Sequence, residues 1–201
     1  MYKRQDKRLV NWDPKLQTAI SDLEVNQKEV DGEMWFIKYS INSSSEFITV
    51  GTTRPETIFG DVAIAVHPEN EKLKKFIGKF AEIPIIKKKI KIISDEYADP
   101  KKGSGAVKIT PAHDFNDFEV GKRNNLEFIN IFDKNCNILD ANFIPNEFRG
   151  MDRFEARDKI IQKLKKINLL EKVTPNQMVI PYGERTGMVV EPLLTDQWFV
   201  D

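Results

Sequence analysis

The chain has 201 residues, enough for a hydrophobic core of its own, and 31 Lys and Arg balance 31 Asp and Glu. A protein that binds nucleic acid by charge alone is normally basic, so any RNA contact is expected to be local or shared with another part of a longer protein. The single cysteine, Cys136, excludes a disulfide framework and a cysteine-rich zinc site, and no apolar run is long enough to cross a bilayer, so we expect a cytoplasmic protein without a bound metal.

In chain order, the prediction is dominated by short strands. Residues 1–30 are polar and weakly patterned, apart from a strand-like run at 8–13 that a proline ends. A hairpin is predicted from a strand at 34–41, a turn at 42–45 and a strand at 46–52. Further strands are predicted from apolar runs at 62–66, 81–86, 90–93, 106–110 and 178–200.

The predicted helices are few. Thr53 with Glu56 and Asn116 with Glu119 have the spacing of a capping box, so a helical turn is predicted to start at each pair. The longest helix is predicted at 152–170, where apolar residues recur at helical spacing. Many short strands with a few helices predict an α+β domain, with a barrel-like twisted β-sheet core and several peripheral helices.

Polar side chains gather where two of the predicted strands end. The strand at 46–52 runs into TTRPET (52–57), and the strand at 106–110 runs into TPAHD (110–114). Hydroxyls, a cation and carboxylates at strand ends are typical of a binding site. The set contains no cysteine nucleophile and no metal-ligand cluster, which predicts a pocket for a small zwitterion or an ester, with water as the attacking group.

Two aspartates follow the second of these strands. Asp114 and Asp117 are predicted near a helix start, where the helix dipole favours an ionised carboxylate at neutral pH. Such a carboxylate suits an ammonium group or a hydroxyl. The alternative is ordinary helix N-terminal chemistry, which the spacing alone favours because Asp is common in first turns.

Three further residues also have two interpretations. Lys108 and Thr110 share one strand face, so they contact a ligand together if that face lines a cleft and have no role if it is solvated. Arg54 precedes a proline that restricts its backbone, which suits either a fixed guanidinium or a weak surface ion pair with Glu56. His113 is either a general base or, as we favour, a residue that holds the loop.

Three segments taken together closely resemble bacterial valyl-tRNA synthetases. They are TTRPETIFGDVAIAVHPEN (52–70), GSGAVKITPAHDFNDFEVGKRNNLEFINIFD (103–133) and PYGERTGMVVEPLLTDQWFV (181–200). In that family the matching segments belong to the editing domain that is inserted into the nucleotide-binding fold. The related isoleucyl and leucyl enzymes share the architecture but differ at these segments.

The resemblance implies a domain organisation. It covers nearly the whole chain and implies a single editing domain at 1–201, with flanking segments 1–30 and 178–201 that lead from and back to a catalytic nucleotide-binding domain. No segment is similar to the two signature motifs with which this synthetase class binds ATP. The chain is therefore expected to need no cofactor, whereas a full-length family member would use ATP and Mg²⁺.

The resemblance also implies an activity, hydrolysis of mischarged Thr-tRNA(Val). Valine and threonine are nearly isosteric, and an apolar pocket rejects the added hydroxyl by only about 10²-fold, a figure that belongs to valyl enzymes generally. A second site that requires the hydroxyl would remove the error. The implied partners are the tRNA(Val) acceptor end carrying threonine and the rest of the synthetase chain. The alternative is a noncatalytic module that only docks the acceptor end.

The family's roles carry over to matching residues. The resemblance assigns recognition of the threonine hydroxyl and ammonium to Asp117 and Lys108, and pocket shape and the attacking water to Thr110 and Asp114. It assigns positioning of the ester and the terminal ribose to Thr52, Arg54 and Thr57. The other substrate-binding candidates are Thr53, Glu56 and His113. Lys102 stands where family members usually carry an aromatic residue, and a lysine offers no ring on which the terminal adenosine could stack.

Overall fold

The computed structural model describes residues 3–42 and 45–200, and the side chains of 7–42 and 45–196. The strands are β1 Lys3–Asp13, β2 Thr18–Ile20, β3 Val25–Ile41, β4 Phe47–Thr52, β5 Ala63–Val66, β6 Phe80–Glu82, β7 Lys89–Ser94, β8 Ala106–Ile109, β9 Leu170–Gly183 and β10 Glu191–Val200. The α-helices are α1 Phe115–Arg123 and α2 Arg153–Lys166, and the 3₁₀ helices are Asp22–Glu24, Pro55–Gly60, Lys74–Phe76 and Asn146–Phe148. None of the described helices is both long and apolar enough to span a membrane.

The long strand β3 organises the larger sheet. It pairs antiparallel with β9 over about its first three quarters and with β4 over its last third, which confirms the predicted hairpin. The turn predicted at 42–45 includes 43 and 44, which lie outside the described residues. The strand order is β4-β3-β6-β7-β5-β8, with β9 joined to β3, and β5 and β7 run parallel. The strands β4 and β8 stand at the two ends of this order, yet they lie against each other. The sheet is therefore curled, and the predicted α+β fold with a barrel-like sheet is confirmed.

The main core packs against the larger sheet. Tyr39, Ile48 and Ile64 contribute fully buried side chains from three different strands. Helix α2 covers this core with Ile160 and Leu164, both fully buried. The helix ends at Lys166, before the predicted end at residue 170, because the chain turns and enters β9.

The first 30 residues are more regular than their composition predicted. They contain β1, β2 and the start of β3, and β1 pairs with both β2 and β10 in a separate three-stranded sheet. The first half of β3 is mostly exposed on both faces, so it lacks the apolar alternation that marks a half-buried strand. The proposed division into an editing domain and flanking segments stays a prediction.

Both predicted capping boxes are wrong, although a helix follows each. The 3₁₀ helix Pro55–Gly60 begins after Arg54 and has no side-chain cap, because the Glu56 carboxylate is bonded to arginine side chains instead. Helix α1 is capped by Asp114, whose Oδ1 accepts hydrogen bonds from the backbone N–H groups of Asn116 and Asp117. The helix therefore begins before Asn116, and an aspartate rather than a capping box satisfies its first donors.

Candidate functional site

A cavity of about 190 Å³ opens where β4 and β8 end. All the predicted site residues except Glu56 line it: Thr52, Thr53, Arg54, Thr57, Lys108, Thr110, His113, Asp114 and Asp117. The two polar segments, fifty-odd residues apart in sequence, thus meet because the curled sheet brings the strands that precede them together. Glu56 lies behind the cavity wall, where it is 1% exposed.

The Lys108 ammonium is bonded inside the wall of the cavity. It is 8% exposed and donates to Thr57 Oγ1 at 2.7 Å, to Asp61 Oδ1 at 2.9 Å and to Thr110 Oγ1. An ammonium group has three N–H donors, so these three acceptors use all of them. Of the two interpretations of Lys108, the structure favours the one in which the strand face that it shares with Thr110 lines a cleft. A direct contact between Lys108 and a ligand requires exchange of one of these bonds.

Asp61 is a buried residue of the site that the sequence reasoning did not single out. Its Oδ1 accepts from Lys108 and from Thr110 Oγ1, and its Oδ2 accepts from the Tyr39 hydroxyl at 2.7 Å. It is fully buried, and burial together with the Asp61 charge raises the pKa of Tyr39 well above its ordinary value. Asp61 therefore fixes the ammonium and the threonine hydroxyl that line the cavity. It lies within the first family-like segment, which was the available signal.

Burial affects the ionisation of Asp117, one of the two aspartates that line the cavity. Asp117 is 6% exposed, and its Oδ2 accepts from the Thr110 N–H at 2.8 Å. Burial first, and then the neighbouring Asp114 carboxylate, raises the pKa of Asp117 to about 7, although Lys108 and the Thr110 N–H act in the opposite direction. The expectation that the helix start keeps Asp117 fully ionised at neutral pH is therefore met only in part, because burial opposes the helix dipole and a carboxyl with a pKa of about 7 is half ionised there.

Arg54 reaches the cavity from a buried ionic network. Its guanidinium donates to the His113 carbonyl at 2.8 Å, to Glu56 at 3.3 Å and to Glu191, whose role the sequence reasoning missed. The weak surface ion pair considered for Arg54 and Glu56 is thus replaced by a network in which both carboxylates are 1% exposed. The Arg54 side chain itself keeps 28% exposure and lines the cavity.

His113 holds its loop in place. The ring is 1% exposed, and its Nε2 accepts the backbone N–H of Ile131 at 3.0 Å. The Nδ1 atom lies 3.7 Å from Glu191 Oε1 and has no hydrogen bond among the described residues. Burial lowers the pKa of His113, so the ring is neutral at neutral pH. Since Nε2 is occupied, this arrangement favours the loop-holding interpretation over a general base.

Tyr97 is an aromatic side chain of the cavity that the sequence reasoning missed. It lines the cavity, is 37% exposed, and has its pKa raised to about 12 by burial and by Asp117 and Asp114. Lys102 does not line the cavity; its side chain is 86% exposed and lies 4.0 Å from Asp99. The aromatic surface at this site therefore comes from Tyr97.

The cavity holds carboxylates, hydroxyls and the cations of Arg54 and Lys108, without an activated nucleophile among its described side chains. The Thr57 hydroxyl donates to the Arg54 carbonyl, and the Thr110 hydroxyl donates to Asp61. Cys136 lies in the core away from the cavity, and burial raises its pKa to about 12. Over the described chain no three His, Cys, Asp or Glu side chains are grouped to hold a metal ion. The arrangement can bind a cationic, hydroxylated ligand, and hydrolysis there requires water as the nucleophile.

Comparisons with known proteins place the chain in a family. Valine--tRNA ligase of Pelagibacter ubique (strain HTCC1062) is 56% identical over 98% of this chain and 22% of the relative, and valine--tRNA ligase of Coxiella burnetii is 53% identical over 96% and 21%. The chain thus spans about a fifth of the length of these relatives, and the resemblance to valyl-tRNA synthetases is confirmed.

A solved structure shares the fold. The crystal structure of the ternary complex of Agrobacterium radiobacter K84 agnB2 LeuRS with tRNA and LeuAMS is 16% identical, with a TM-score of 0.55 over 88% of this chain and 30% of that one. A family model described as "tRNA synthetases class I (I, L, M and V)" matches residues 1–201. The chain therefore belongs to the class I tRNA synthetases of the isoleucine, leucine, methionine and valine group.

Proposed function

We propose that this chain is the editing domain of a valine--tRNA ligase and hydrolyses the aminoacyl ester of Thr-tRNA(Val) by attack of water. One observation supports it above the others. Asp114, Asp117 and Arg54, from two distant segments, line one small cavity beside bonded threonine hydroxyls, with water as the available nucleophile. The sequence relatives at about 50% identity supply the valine enzyme as the context.

The cavity's carboxylates explain how threonine would be told from valine. A threonyl ester presents an ammonium group and a hydroxyl, and both donate hydrogen bonds that an aspartate can accept. A valyl ester presents a methyl group in place of the hydroxyl, which leaves the buried acceptor without its partner. Such an unpaired buried group costs about 1–3 kcal/mol. The cavity would therefore favour the threonyl ester, whereas an apolar pocket favours valine.

Each residue has a part in this proposal. Asp117 keeps Oδ1 for the substrate, because Oδ2 is occupied by the Thr110 N–H. Lys108 holds the Thr57 and Thr110 hydroxyls at the cavity wall and reads the substrate hydroxyl only by exchanging one of them. Asp114 and Thr110 hold the water.

Arg54 positions the ester. A guanidinium has five N–H donors, and three are bonded to described residues, which leaves donors for an ester or ribose oxygen. Water adds to the carbonyl carbon, the ester C–O bond breaks, and the ribose oxygen leaves with a proton. A free hydroxyl of the terminal ribose is a further group that assists this transfer.

The proposed partners are the acceptor end of tRNA(Val) and the remainder of a longer synthetase chain in the cytoplasm. The structural neighbour is a complex that contains tRNA, which supports an RNA partner for this fold. The editing step needs no cofactor, whereas the synthetic step of a full-length enzyme uses ATP and Mg²⁺.

The test is hydrolysis of preformed Thr-tRNA(Val) by this chain. We expect release of threonine well above the rate in buffer, and loss of it in Asp117→Asn. The matched control is Asp140→Asn, which changes an aspartate that is 82% exposed and outside the cavity. Binding of the charged tRNA without release of threonine would support the docking module instead.

A further inference from the structure

We propose that Glu191, at the first residue of β10, is a positioning residue that holds the Arg54 guanidinium out of the centre of the cavity. The inference rests on the proposed function for its meaning, but its geometry is independent of it. Glu191 does not line the 190 Å³ cavity. It lines a neighbouring cavity of about 280 Å³ that Arg54 and Asp114 also line, and it acts on the 190 Å³ cavity through the groups that it contacts.

Glu191 is a single buried carboxylate shared by two arginines. Its Oε1 accepts from Arg54 and its Oε2 accepts from Arg153 Nη1 at 2.6 Å. Arg153 is 3% exposed, stands at the start of α2 and also donates to the Val189 carbonyl. The carboxylate is thus fixed by a buried group of another element, and it in turn fixes Arg54.

The other partners of Arg54 cannot replace this bond. Glu56 accepts two hydrogen bonds from Arg157, both at 2.8 Å, and its contact with Arg54 is longer, at 3.3 Å. The His113 carbonyl is a neutral acceptor. Without the Glu191 charge, the carboxylate that remains to attract Arg54 is Asp114, which lines the same cavity and whose charge already acts on the guanidinium.

The consequence is a change in the charge of the cavity. An Arg54 guanidinium that turns towards Asp114 neutralises the carboxylate that helps to raise the pKa of Asp117. The other titratable groups around Asp117 are Lys108, Asp61, Tyr97 and His113. Of these only His113 lies near Glu191, at 3.7 Å, and its ring is neutral, so it adds no charge to the cavity. The pKa of Asp117 therefore reports the position of Arg54.

The experiment is Glu191→Gln, which keeps the shape and removes the charge. We expect kcat/KM for Thr-tRNA(Val) to fall about tenfold or more, and the pKa of Asp117, followed by ¹³C NMR of its carboxyl carbon, to move down by about half a unit or more. Glu147→Gln is the matched control, because it removes a carboxylate paired with Lys163 outside the cavity. It should change neither quantity.

Further variants and outcomes keep the inference falsifiable. Glu191→Asp retains the charge on a shorter side chain, so it should restore most of the pKa of Asp117 and of kcat/KM, which a role of the side-chain shape alone does not predict. The effects of Glu191→Gln and Arg54→Gln on kcat/KM should not add, because both act through one guanidinium. A folded Glu191→Gln chain with unchanged Asp117 pKa overturns the inference. Lack of hydrolysis by the unaltered chain overturns the proposed function instead, since the pKa measurement does not depend on activity.

Discussion

Replacement of Asp117 by asparagine separates the functional role of this residue from a structural one. The pKa of Asp117 is raised from 3.8 to about 7, a difference of roughly three units, and each unit corresponds to about 1.4 kcal/mol. The folded chain therefore disfavours the ionised form by on the order of 4 kcal/mol. Because the folded-state pKa of this acid is raised, its contribution to stability is highest below about pH 4 and falls as pH rises towards 7.

The Asp117→Asn substitution removes that penalty and keeps an oxygen for the Thr110 N–H. The variant should melt at or above the temperature of the unaltered chain at pH 8, as calorimetry or circular dichroism would show. Hydrolysis of Thr-tRNA(Val) should nevertheless fall by roughly two orders of magnitude, because a charge-assisted bond to the substrate is lost. A folded variant with unchanged hydrolysis would refute the role of Asp117 and transfer it to Asp114.

Three further outcomes are expected. The rate of Thr-tRNA(Val) hydrolysis should rise with pH around the pKa of Asp117, near 7, and Asp114→Asn should move that midpoint to lower pH, as a pH–rate profile would show. Burial alone would raise the pKa of Glu191, but the surrounding cations hold it at about 2, so Glu191 contributes stability above about pH 4.5 that is lost as pH falls towards 2; acid titration of the fold against Glu191→Gln checks this. Lys108→Met should cost about 3–5 kcal/mol in urea unfolding, because it leaves the Asp61 carboxylate buried without its cation, and a loss below about 1 kcal/mol would contradict the buried pair.

The site residues could be predicted from the sequence because they lie in short segments next to recognisable strands. Each polar segment directly follows a strand, and the alternation of side chains from β8 into the next residue put Lys108 and Thr110 on one face, which the structure shows at the cavity. The hairpin β3–β4 and the helix α2 were also predictable, since apolar spacing marks each of them.

The parts that were missed depend on contacts distant in sequence. Arg157 bonds Glu56 from 101 residues away, which draws that carboxylate out of the predicted capping box. Glu191 reaches Arg54 across 137 residues, so nothing near either residue indicates the pair. The pKa of Asp117 depends on burial, which the helix-start pattern does not report.

The length of the two-stranded ribbon that β3 and β9 form was underestimated from the sequence for a different reason. In its outer half the β3 residues are mostly exposed and the β9 residues alternate between exposed and half-buried. The half-buried positions include Gly32 and Asn176, so the sequence shows no period of two in hydrophobicity. Backbone pairing with β9, from Val25 onward, keeps it extended instead. Pairing between segments so far apart has no signature in either segment alone.

The measurement that tests the central claim most directly compares two esters of the same tRNA. This chain is mixed separately with Thr-tRNA(Val) and with Val-tRNA(Val), and release of each amino acid is followed under single-turnover conditions. A buried acceptor left unpaired by valine predicts faster hydrolysis of the threonyl ester by roughly ten- to a hundredfold. Equal rates on the two esters would contradict the claim that this cavity recognises the hydroxyl.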